Sequence, residues 1–122
     1  MSRHLTEYFI EQALNRGKGV GQFLGSFEHN GEKAIRYLLI YANEKEFRLL
    51  VQESYDEGSQ DFCDIGEFTS IHGDDETPQH TFPSLEQTLD FATQNYGSSS
   101  ERWVNESVID DEYADFIQNK QP

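Results

Sequence analysis

One cysteine, Cys63, stands in 122 residues. That excludes an internal disulfide framework and a cysteine-built zinc site. Long apolar runs are absent too: the longest, Tyr37 to Ala42, is six residues, far short of the ~18–20 needed to span a bilayer. The first seven residues, Met1-Ser2-Arg3-His4-Leu5-Thr6-Glu7, hold no apolar stretch of the secretory-signal kind. A cytoplasmic protein without membrane attachment is the expectation. Cations are missing from the middle of the chain, with not one Lys or Arg from Leu49 through Glu101. Direct nucleic-acid binding is therefore not expected, because phosphate recognition needs a basic stripe. Neither a G-x-S-x-G elbow nor an H-E-x-x-H helix nor an EF-hand loop is present.

What is present is acid. The formal net charge is −14, from 9 Lys+Arg against 23 Asp+Glu. Residues 1–48 are nearly neutral, with seven cations against six acids, whereas residues 49–122 hold two cations against seventeen acids. A small domain stays soluble at a net charge of roughly 2–8 in magnitude, so the second half carries more than solubility requires. Aromatic residues make up 13% of the chain, enough to build a core and to set it apart from a disordered polyelectrolyte. The length suits one domain spanning 1–122.

Hydrophobic spacing predicts an α+β fold of order α-β-β-β-β-α-(β)-α. A first helix spans about Leu5 to Arg16, with Leu5, Tyr8, Phe9, Gln12 and Ala13 as its buried face. Gly17-Lys18-Gly19-Val20-Gly21 ends it and links onward. A four-stranded antiparallel meander follows. Its first hairpin turns at Asn30-Gly31, the strongest short-range hairpin signal, and its second turns at Asn43-Glu44-Lys45. The second strand alternates Ile35, Tyr37, Leu39 and Tyr41 against Arg36, Leu38 and Ile40. Phe47, Leu49 and Val51 continue the first set in the third strand, leaving Arg48, Leu50, Gln52 and Ser54 on the other face. The fourth strand is expected over Phe62 to Ile71, with a bulge at Gly66, and 72–80 as an exposed loop. Ser84 to Gln87 and Ser107 to Asp110 have the capping-box form and open two helices. The helices are expected to cover one sheet face, leaving a half-apolar face through which a homodimer could form.

Several patterns invite chemistry. His72, Asp74, Asp75, Glu76 and His80 could hold a divalent cation, although an acidic surface loop is the simpler account. The glycines of 17–21 follow a helix and precede a strand, the reverse of a phosphate-binding loop. Cys63 could pair with His29, His72 or His80 as a nucleophile, but Asp61 and Asp64 beside it oppose thiolate formation. Asn105-Glu106-Ser107 matches a glycosylation sequon that carries no meaning without a secretory route.

The reading that best uses the charge is a small non-enzymatic binding protein, without cofactor, whose acidic half docks on a basic protein. Inhibitors, immunity-type proteins and nucleic-acid mimics work by this logic. Its expected contacts are Asp56, Glu57, Asp61 and Asp64 around the third turn, Asp74, Asp75 and Glu76 in the loop, and Asp110, Asp111 and Glu112 on the last helix. Trp103 and Tyr113 are its expected aromatic anchors. Two alternatives stand beside it: a dimeric secretion or assembly chaperone holding a client segment, and a metal-binding protein or metal-dependent enzyme using the 72–80 loop.

Overall fold

The computed structural model describes residues 4–59, 61–72 and 78–120 of the chain, the side chains of 119 and 120 excepted. It is an α+β fold of one helix, a sheet and two further helices. The elements in chain order are α1 (Glu7–Asn15), β1 (Val20–His29), β2 (Glu32–Ala42), β3 (Phe47–Tyr55), β4 (Gln79–Phe82), α2 (Leu85–Tyr96), β5 (Val104–Asn105) and α3 (Ile109–Lys120). The sheet is antiparallel in the order β4-β3-β2-β1-β5. Among the described residues no helix is long and apolar enough to cross a membrane.

Local chemistry sets the turns and caps. Asn30 and Gly31 both take positive φ, 52° and 82°, as a tight hairpin following the right-handed strand twist requires. Asn43 Oδ1 accepts from the N–H groups of Lys45 and Glu46 at 2.9 and 3.0 Å, closing the second hairpin with a side-chain mimic of a backbone turn. Ser84 caps α2 by accepting from Gln87 N–H at 3.2 Å. At the second expected capping box the chain instead takes a 3-10 turn over Glu106–Val108 before α3 starts at Ile109. Val20 and Gly21, expected as linker, already belong to β1, and the register irregularity lies in β1 between Phe23 and Gly25 rather than at Gly66.

Two further expectations are corrected. The fourth strand is Gln79–Phe82, paired with Phe47 to Leu50 of β3, and so lies partly within the expected loop. The segment expected as that strand leaves the sheet and forms a 3-10 turn over Ile65–Glu67. Ile65 and Phe68 are both buried; residues three apart share one side of such a turn, whereas in a strand they would face opposite ways. Only its end meets β3, where Tyr55 N–H donates to Thr69 O and Ile71 N–H to Glu53 O, at 2.9 and 3.1 Å.

Helices cover both sheet faces, not one. Ile40 lies opposite Leu49 and Leu38 opposite Val51, so Phe47, Leu49 and Val51 share a face with Leu38 and Ile40, contrary to the expected parity. That face packs with Ile10, Ala13 and Leu14 of α1, Leu85 and Ala92 of α2, and Trp103. Ile35, Tyr37, Leu39 and Phe23 form the other face, packed with Ile65, Phe68, Val104, Ile109 and Tyr113. The half-apolar face expected for a homodimer is therefore occupied by the chain's own helices. Within α1 the expected stripe is also corrected: Ile10, Ala13 and Leu14 turn inward, while Tyr8 and Phe9 face solvent.

Candidate functional site: an acidic face

Tyr113 joins α3 to the segment after β3. Its hydroxyl donates to Asp56 Oδ1 at 2.5 Å, and its ring lies edge-on to Phe68 at 5.4 Å and to Phe23 at 5.8 Å. A Cβ at Gly58 would collide with the Tyr113 hydroxyl and the Phe68 ring, so the chain can pass this close only as glycine. One turn earlier on α3, Asp110 Oδ1 accepts from Ile65 N–H at 3.2 Å. These two bonds press the 56–68 segment against the start of α3 and bring together acids distant in sequence.

Asp61, Asp110 and Asp111 thereby act on Cys63, and Asp64 and Asp110 on the buried Tyr37. Asp110 is raised from its usual value by burial first and then by the charges of Asp64 and Asp111, against the lowering effect of the Ile65 bond. Tyr37 is pushed up to about 12 by burial, then by Asp110, Glu106 and Asp64. Cys63 is raised by burial, then by Asp110, Asp111 and Asp61. A raised thiol stays protonated at neutral pH and is a poor nucleophile; its Sγ donates to Ser59 O at 3.2 Å. Among the described residues, Asp61, Asp64 and Asp110 have no Lys or Arg at ion-pair distance, the pairs running Lys33–Asp56, Arg36–Glu53 and Arg102–Glu112.

The remaining expected contacts are placed elsewhere. Asp56 is committed to Tyr113, Lys33 and Gly58 N–H. Glu57 accepts from both the N–H and hydroxyl of Thr69, at 2.6 and 2.9 Å. Glu112 is buried and meets His4 at 3.1 Å and Arg102 at 3.7 Å. Trp103 and Tyr113 are 1% and 0% exposed. They are core residues and present no exposed ring. Asp74, Asp75 and Glu76 lie outside the described residues.

The two loop histidines do not converge. His72 Nε2 bonds to Glu53, which Arg36 also holds, Nε to Oε2 at 2.6 Å. Burial pushes Glu53 up, but the bonds from His72 and Arg36 and the charges of both outweigh it and hold its carboxyl low. His80 sits four residues away along β3, opposite Leu49, with its ring 4.5 Å from that of Phe91. Its Nε2 is buried without a partner among the described residues. No three His, Cys, Asp or Glu side chains among the described residues form a metal-ligand group. His29, the third histidine considered for Cys63, lies beside Asn30 and Tyr55.

Sequence reasoning missed Gln22, which is 2% exposed and uses both ends of its amide on Ser99, donating to its O and accepting from its N–H at 2.8 Å each. A lone buried Gln in a strand gives no sequence signal for so distant a partner. Fold and face together define an α+β protein with an anionic surface formed at a helix start. Comparison with protein-family models, curated proteins and solved structures returns no match to the chain.

Proposed function

We propose that the chain is a small non-enzymatic binding protein whose acidic face docks on a basic protein surface. The observation that carries this reading is the bond from Ile65 N–H to Asp110, which brings Asp64 to the start of α3, together with the absence, among the described residues, of a Lys or Arg at ion-pair distance from Asp61, Asp64 or Asp110. Like charges held close cost stability, and a guanidinium or ammonium group from a partner would relieve that cost on binding. Arginine suits the face best, since its planar fork can bridge two carboxylates. Complementary charge of this kind speeds encounter and rejects acidic competitors.

The test compares the wild-type chain with an Asp61→Lys/Asp64→Lys variant, both immobilised in nuclease-treated lysate and eluted by rising salt. The expected result is a basic protein held by the wild type, released at moderate salt and absent from the variant. Retention of the same proteins by both chains would overturn the reading.

A further inference from the structure

Helix α1 has apolar residues on two sides. Ile10, Ala13 and Leu14 face the core, whereas Tyr8 and Phe9 stand 63% and 55% exposed, edge to face with their centroids 5.2 Å apart. The two rings border a groove of about 250 Å³ that takes in Leu5 and Ala13 and is lined by Arg16 and Lys18 and, among the described residues, by no carboxylate. Lys18 and Asn105 also line an adjoining depression, where Glu106 is engaged by the Tyr41 hydroxyl. A cationic lip beside two bare aromatic rings is unexpected in a chain with a formal charge of −14.

The only other exposed large apolar side chain among the described residues is Phe62, at 41%. It stands in a tight turn in which Ser59 and Phe62 exchange backbone hydrogen bonds of 3.0 and 3.1 Å, with the exposed Asp61 and Asp64 as near neighbours in sequence. The large exposed apolar groups thus fall into two patches, one whose groove is lined by Arg16 and Lys18 and one flanked in sequence by Asp61 and Asp64. They belong to opposite sides of the sheet: α1 packs with Leu38 and Ile40, and the segment after Phe62 packs with Ile35 and Tyr37. One copy cannot join them.

We propose that the two patches bind each other between copies of this chain. Phe62 of one copy seats beside Tyr8 and Phe9 of the next, with Asp61 and Asp64 facing Arg16 and Lys18. Because the patches lie on opposite sides, the contact is heterologous and builds short head-to-tail chains rather than a two-fold dimer. Three rings and four charges make a small interface of the weak class, so assembly depends on concentration. The inference does not rest on the basic partner proposed above, although such a partner would cap the acidic end and stop growth.

Sedimentation equilibrium of the full chain tests it, at about 0.1 M salt and from about 10 μM to 1 mM protein. At that salt the Debye length is ~10 Å, so the overall charges of two copies are largely screened while charges in contact still attract. The weight-average mass is expected to rise with concentration above 14.1 kDa. Arg16→Glu/Lys18→Glu and Asp61→Lys/Asp64→Lys variants, changed only at exposed positions, are each expected to stay monomeric. Their equimolar mixture regains association, since the first keeps the acidic tip and the second keeps the cationic groove. The Asp→Lys variant separates this account from simple repulsion: its net negative charge is smaller, so a chain governed by overall repulsion would associate more, not less. A wild-type mass fixed at the monomer value, self-association of either variant equal to wild type, or a monomeric mixture would each overturn the proposal.

Discussion

Asp110 shows how a single carboxylate serves the fold and strains it together. Its Oδ1 accepts from Ile65 N–H, a bond that fixes the neighbouring segment, yet burial and the charges of Asp64 and Asp111 raise its pKa. A carboxyl whose folded pKa lies above its unfolded value binds its proton more tightly when folded. It contributes nothing unfavourable below the unfolded value of 3.8, and costs stability progressively as pH rises through the folded value. An Asp110→Asn chain keeps the acceptor and loses the charge. It is expected to be more stable at neutral pH by about 0.5 kcal/mol, a figure discounted for solvent screening, with no gain at pH 3. Urea unfolding at the two pH values checks this; equal or lower stability at pH 7 would show that the crowding is not felt. Glu53 behaves in the opposite sense. Its lowered pKa gives stability that is present above the unfolded value of 4.5 and lost as pH falls through the folded one.

At the scale of elements, the junction between α3 and the 56–68 segment decides whether the acids share a face. Tyr113→Phe removes the hydroxyl bond to Asp56 while keeping the ring against Phe68 and Phe23. The expected cost is about 1–2 kcal/mol. Faster amide exchange is expected at Ile65 and Thr69, whose N–H groups bond to Asp110 and Glu57. Unchanged exchange there would mean that the segment is held by packing alone. The helices and hairpins were legible in the sequence because their signals are local: Asn30-Gly31 and the Ser84 cap each act within a few residues. The sheet faces were not, because face identity in β3 depends on the parity of the pairing. Ile40 meets Leu49, so even positions of β2 share a face with odd positions of β3, whereas simple alternation carried through the turn gives the reverse. Nor could α1's inward side be read from spacing, since two apolar stripes compete there and only tertiary contact selects Ile10 and Leu14 over Tyr8 and Phe9. The acidic residues were visible as composition. Their convergence depends on a tyrosine-to-aspartate bond across 57 positions, which no local pattern encodes.

For the whole molecule, the uneven charge of the sequence becomes an uneven charge of the surface. The groove on α1 carries Arg16 and Lys18 beside exposed rings, and the turn and helix start on the other side of the sheet carry Asp61, Asp64 and Asp110. Such a distribution favours oriented encounter with a basic partner. The most direct measurement of the proposed docking is the association rate of the wild-type chain with a basic protein that it retains and the Asp61→Lys/Asp64→Lys chain does not, followed against ionic strength. The account predicts a fall of at least ~10-fold between about 20 and 500 mM salt, with dissociation changing much less. An association rate that stays flat across that range would contradict electrostatic docking by the acidic face.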